Sequence, residues 1–180
     1  MAKQVRTVYG SALFSAARDS GRLTNVREQA ETVTHVLKEN EDFLRILNHP
    51  DIQMDEKMKM VDAVFAGSTD PLITGVITAL LEKGHGRDIP MTLERFTDMA
   101  LEEEKIGVAE VTSAMPLTED QKERIRKKLL DTTDYLSMRI RYEVDPSLIG
   151  GLVIHLGDRI VDSSLSSKLM RMQRDLEAGI

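Results

Sequence analysis

The chain has 180 residues, 30 acidic against 24 basic side chains, and a formal net charge of −6, a balance that argues against a general nucleic-acid binder, which carries a basic face. Cysteine is absent, which excludes a disulfide framework, a thiolate nucleophile and a cysteine-ligated metal, and is compatible with the cytoplasm. The length admits one large or two small domains, and no segment approaches the roughly 20 apolar residues that a bilayer span needs.

The N-terminus carries Lys3 and Arg6 but no apolar core of signal-peptide length. Any membrane association is therefore expected through another protein. Val5, Val8, Tyr9, Ala12, Leu13 and Ala16 fall on one stripe of a first helix, which Gly21 ends. Leu23, Val26, Ala30, Val33 and Leu37 make a second helix. Phe43, Leu44 and Leu47 make a short third, stopped by Asn48-His49-Pro50. Met54, Met58, Val61, Val64 and Phe65 define a fourth, closed by Gly67. Asp70 before Pro71 reads as an N-cap followed by proline at the first helical position, which predicts a fifth helix to Lys83 with Ile73, Val76, Ile77, Leu80 and Leu81 as its apolar positions. After Gly84-His85-Gly86, a sixth carries Leu93, Phe96, Met99 and Ala100 into Glu102-Glu103-Glu104.

The pattern changes near Gly107. Val108 to Ala114 reads as a strand, and Thr118 with Gln121 forms a capping box for a helix to about Leu130. Met138, Ile140, Tyr142 and Val144 alternate with Arg139, Arg141 and Glu143, the period of a half-buried strand. Asp145-Pro146 opens a turn, Gly150-Gly151 allows close backbone packing, and Leu152, Val153, Ile154 and Leu156 supply a strand. Gly157-Asp158 is a hairpin turn, Ile160 and Val161 resume the extended pattern, and Asp162, Ser163 and Ser164 offer N-caps to a terminal helix with Leu165, Leu169, Met172 and Leu176 on one face. The predicted fold is mainly α with a smaller α+β part: a six-helix bundle over residues 1–106, then a small α/β domain over 107–180 ending in an amphipathic helix.

Catalytic readings do not survive the spacing. His35, His49, His85 and His155 are dispersed and share no metal-binding interval. Neither Gly84-His85-Gly86 nor Gly150-Gly151 has the lysine-hydroxyl ending of a phosphate loop or the third glycine of a dinucleotide fingerprint. Glu102, Glu103 and Glu104 point in different directions along a helix, and the serines at 163, 164, 166 and 167 lack a histidine and carboxylate partner. Ten methionines without tryptophan fit either adaptable packing or an adaptable partner surface; Met54 and Met58 are expected in the bundle core, while Met170 and Met172 stay open between core and partner. Ala12 and Ala16 are small enough to admit a neighbouring helix, so the first helix reads either as plain core or as one wall of a groove. The residues alone therefore reach a non-enzymatic, two-part interaction protein with no cofactor and no metal.

Asp145, Ser147, Gly150, Gly151, Gly157, Asp158, Asp162, Ser164, Leu165, Lys168 and Leu169 stand in an order that resembles the C-terminal signature of the delta subunit of F-type ATP synthases. Tyr9 to Phe14 with Ala17 is similar to that family's opening helix, with Gly10 where alanine is more usual. Thr112-Ser113-Ala114 with Pro116-Leu117-Thr118 resembles its interdomain strand and following helix, and Ser163 stands where glycine is common. The family includes the mitochondrial oligomycin sensitivity-conferring protein. The resemblance implies a non-catalytic stator subunit, one copy per hetero-oligomeric complex, at the cytoplasmic face of a bacterial membrane. Its N-terminal domain would hold the N-terminal helix of an alpha subunit between the first and fifth helices, which selects Tyr9, Ala12, Leu13, Val76, Ile77 and Leu80. Its C-terminal domain would join the b-type subunits of the peripheral stalk, which selects Leu165, Leu169, Met172 and Leu176. Two readings compete with the stator reading: a free-standing helical adaptor for another amphipathic helix, and an enzyme using a glycine turn for a phosphorylated ligand, whose saturable nucleotide binding is expected to be absent.

Overall fold

The computed structural model describes residues 2–65, 67 and 69–178, with the side chains of 2, 3 and 175–178 excepted. The chain forms two compact units, Met1–Leu101 and Glu102–Ile180. Among the described residues there are eight α-helices and one four-stranded sheet.

The first unit is built from α1 (Ala2–Asp19), α2 (Leu23–Glu39), α3 (Glu41–Leu47), α4 (Met54–Phe65), α5 (Pro71–Glu82) and α6 (Ile89–Glu103), the last preceded by a 3-10 turn at Gly86–Asp88. All six predicted helices form where the apolar spacing places them. Leu13, Phe14 and Ala17 of α1 join Val26, Ala30, Val33 and Leu37 of α2, Ile73, Ile77 and Leu80 of α5, and Leu93, Phe96 and Ala100 of α6 in one core. Each large side chain among them contributes roughly 1.5–3 kcal/mol of burial. Met54 packs against this core, joined by Met60 rather than Met58.

The face that α1 buries differs from the predicted stripe. Gly10, Leu13, Phe14 and Ala17 turn inward, whereas Val8 is 60% exposed and Ala12 is exposed. The reason is a close approach to α6: a Cβ on Gly10 would lie 3.3 Å from both the Arg95 side chain and the Thr92 carbonyl. Glycine there lets the helix settle with Phe14 in the core and its alternative apolar face outside. Arg27, unforeseen, is also buried; its guanidinium meets Glu31 at 2.9 Å, the partnering a buried charge requires.

The second unit places β1 (Ile106–Ser113), β2 (Ser137–Val144), β3 (Leu152–Leu156) and β4 (Arg159–Asp162) in the order β2-β1-β3-β4. β1 and β2 are parallel, joined through α7 (Glu119–Asp131), while β3 runs antiparallel to both β1 and β4. The capping box forms: Thr118 Oγ1 accepts from the Gln121 amide, and Gln121 Oε1 accepts from the Thr118 amide. Ile125, Leu129 and Leu130 of α7 cover Ala109, Met138, Ile140, Ile154 and Leu156; the predicted alternation along β2 holds from Met138 to Tyr142, while Val144, at the strand's end, is 50% exposed. The register leaves Arg139, Arg141, Glu110 and His155 on the opposite face.

Gly107, near which the pattern changes, lies inside a strand. It is buried within β1, where a Cβ would collide with Met138 and the Tyr135 ring. The turn out of α6 falls earlier, at Lys105, which holds φ 52 with its amide bonded to the Glu102 carbonyl. The terminal helix, α8 (Leu165–Ala178), follows β4 directly.

Candidate partner-binding surfaces

In the first unit α1 and α5 pack against each other. Of the six residues predicted to line a groove there, three are spent on the core: Leu13 and Ile77 are 1% exposed and Leu80 is fully buried. They form the floor on which a surface rests and offer nothing to a partner directly. Tyr9 and Val76 are half-buried and Ala12 is exposed, so these three keep accessible surface. The pattern missed the distinction because α1 is apolar around more than half its circumference, and periodicity does not say which part faces inward.

Two residues outside the predicted groove set also keep accessible surface. Val8 exposes its side chain on α1. Gly75 lies mid-helix in α5, exposed, with open space where a Cβ would stand. A glycine inside a helix costs about 1 kcal/mol relative to alanine, and no neighbour among the described residues uses the room it leaves. Val8, Ala12, Gly75 and Val76 are thus the small or apolar residues of α1 and α5 that keep accessible surface.

The position of α5 is set by its N-cap. Asp70 Oδ1 accepts from the Leu72 amide at 3.0 Å, Asp70 Oδ2 accepts from Arg22 Nη1, and the Asp70 amide donates to Gln29 Oε1. One residue thus joins the α1–α2 turn, through its carboxylate, and α2, through its amide, to the start of α5. At the other end of α1, Arg6 Nε donates to Asp88 Oδ1 at 2.8 Å, and His85 Nδ1 stands 3.4 Å from Asp88 Oδ2.

In the second unit α8 exposes the predicted face. Leu165 is 46% exposed, Leu169 56% and Met172 62%, and Met170 is exposed with them. Leu176 lies in α8, and its side chain is outside the described residues. Of the three predicted caps, Ser164 is the N-cap: it is 1% exposed and its Oγ accepts from the Ser167 amide at 3.2 Å. Asp162 reinforces it, accepting from the Ser164 amide at 2.8 Å and from the Ser167 hydroxyl at 2.5 Å. The Ser167 hydroxyl first, and then the Ser164 amide, hold the Asp162 carboxyl down at about 2. Ser164 and Ser167 are committed to this cap, and the Ser163 hydroxyl donates to the Leu152 carbonyl. Gly84 at φ 73 and Gly151 at φ 80 are turn glycines, as the spacing predicted.

The family described as ATP synthase delta (OSCP) subunit matches residues 5–176 of the chain. A protein named ATP synthase subunit delta from Lachnoclostridium phytofermentans is 40% identical, over 98% of this chain and 97% of its own. Its namesake from Moorella thermoacetica is 37% identical over 89% of each. A chain in the cryo-EM structure of the Toxoplasma gondii mitochondrial ATP synthase hexamer shares the fold, with a TM-score of 0.74 at 23% identity over 95% of this chain and 96% of that one.

Proposed function

The chain belongs to the ATP synthase delta (OSCP) subunit family, and we propose that it ties the catalytic head of an F-type ATP synthase to its peripheral stalk, through two separate apolar surfaces. The first unit binds the N-terminal helix of an alpha subunit across α1 and α5; the second binds b-type stalk subunits through α8. The chain is one non-catalytic copy in the complex, held at the cytoplasmic face of a bacterial membrane by its partners. Among the described residues no helix is long and apolar enough to cross a bilayer.

The mechanism is mechanical. Torque from a rotating central shaft would turn the head bodily unless a stator holds it, and only a held head converts rotation into changes of nucleotide affinity. Such a link needs slow dissociation, which desolvated apolar anchors supply. The observation that carries the reading is the pairing of exposed apolar surface in both units: Val8 with Ala12 and Gly75 in one, Leu165 with Leu169 and Met172 in the other.

The test is calorimetric titration of the full chain with a peptide copying the alpha-subunit N-terminus of the same organism, beside the Ala12→Trp variant. Ala12 is exposed, so tryptophan there leaves the core intact while filling the surface. Binding by the parent and its loss in the folded variant supports the reading. Equal binding by both removes α1 from the interface.

A further inference from the structure

The terminal helix is loosely packed along its body and firmly held at its root. Leu165, Leu169, Met170 and Met172 are each 46–62% exposed, and a helix of 14 residues without packing is marginal in water. Its first turn, by contrast, is bonded on two sides. Ser163 donates both its amide and its hydroxyl to the Leu152 carbonyl, at 3.0 and 2.9 Å, and the Leu165 amide donates to the Gly150 carbonyl at 2.9 Å. From the strand side, Asp162 takes the Ser164 amide and the Ser167 hydroxyl.

The loop that supplies the Gly150 carbonyl is shaped for that task. Ile149 sits at φ 63, ψ −38, and the Gly150 amide reaches the Leu148 carbonyl at 2.6 Å, closing a γ-turn that β-branched residues avoid. Gly151 follows at φ 80, where a Cβ would collide with the Ser163 carbonyl, and a Cβ on Gly150 would meet the Leu165 side chain. Strained backbone that survives is held there by its surroundings. Here those surroundings are the first turn of α8.

We propose that Asp162 is a positioning residue for the stalk contact: with Ser164, Ser167 and the Gly150-Gly151 saddle it keeps the first turn of α8 helical and aimed in one direction. The stalk subunit then meets a preformed apolar seam and is spared the cost of ordering a frayed tail. The inference rests on the reading of α8 as the stalk contact.

The test compares the full chain with Asp162→Ala and Asp162→Asn by amide hydrogen exchange and by titration with the b-type subunit of the same organism. In Asp162→Ala the amides of Ser167 to Met170 exchange about five- to tenfold faster, the range of a lost helix cap, while those of β1 and β2 do not change. Affinity for the stalk subunit falls by a similar factor. The asparagine side chain of Asp162→Asn still offers an oxygen to the Ser164 amide, so that variant lies between the other two. Unchanged exchange in Asp162→Ala overturns the proposal, and so does faster exchange with unchanged affinity. Failure of the parent to bind the stalk subunit overturns the stalk reading instead, and the exchange rates then decide the root by themselves.

Discussion

Arg22 Nη1 lies 2.5 Å from Asp70 Oδ2, joining the turn after α1 to the residue that caps α5. The Asp70 side chain is 7% exposed while that of Arg22 is 48% exposed, so the carboxylate is the partner that depends on the contact. Replacing Asp70 by alanine removes the cap of α5 and leaves Arg22 in solvent. A loss of about 1–2 kcal/mol is expected. Asp70→Asn keeps an acceptor for the Leu72 amide and costs less. Urea unfolding of the three chains, followed by helical circular dichroism, checks the order; equal midpoints for Asp70→Ala and the parent would refute it.

Gly75 gives the opposite sign. The open space around its Cβ position means that Gly75→Ala gains about 0.5–1 kcal/mol of helix stability with no clash inside the chain. The same methyl stands out from the exposed face of α5, so binding of the alpha-subunit peptide weakens as the melting temperature rises. A variant that melts lower than the parent contradicts the description of α5 at this position.

The glycines of the second unit separate two causes of intolerance. Gly157 holds φ 55 in open space, so Gly157→Ala carries only the left-handed backbone cost, roughly 1–2 kcal/mol. Gly151 at φ 80 adds a collision with the Ser163 carbonyl, and Gly151→Ala costs more. Ile149→Gly relieves the γ-turn and stabilises by about 1 kcal/mol once the larger unfolded-state entropy of glycine is deducted. Denaturant titrations of these three variants rank them; Gly151→Ala as mild as Gly157→Ala would remove the collision from the explanation.

Asp162 predicts a pH dependence. Its carboxyl is lowered from 3.8 to about 2 by the Ser167 and Ser164 hydrogen bonds. A depressed carboxyl contributes stability that is fully present above its ordinary value and is lost as pH falls through the lowered one. Exchange protection at the start of α8 should therefore hold down to about pH 4 and decline toward pH 2. Asp162→Asn, which does not titrate, shows no such decline from this group. Identical pH profiles for parent and variant would exclude the carboxylate as the cause.

Much of this architecture is written in local pattern. Helix starts and stops depend on residues that act within a few positions, and the Asp70-Pro71 cap, the Thr118–Gln121 capping box and the Gly157-Asp158 hairpin all form as read. The alternation along β2 likewise assigns its two faces, because strand side chains alternate whatever lies beyond. The exposed seam on α8 was legible for a similar reason: the apolar spacing marks one face, and Leu169 and Met172 stay more than half exposed on it.

What local pattern could not decide was which of several apolar faces a helix buries, since that depends on the neighbour's shape. Gly10 against Arg95 and Thr92 rotates α1 so that Phe14 goes inward and Ala12 outward, and this divides the predicted groove residues into floor and surface. The same holds for Gly107, whose role follows from Met138 on the neighbouring strand and Tyr135 just before it, and for Lys105 and Ile149, which take positive φ without glycine. Sequence alone determined the elements, their caps and the two-part plan, because short-range sterics and hydrogen bonding act within each segment. Only the tertiary structure decided inward from outward and tied the root of α8 to the Leu152 and Gly150 carbonyls, because those outcomes depend on contacts between residues far apart in the chain.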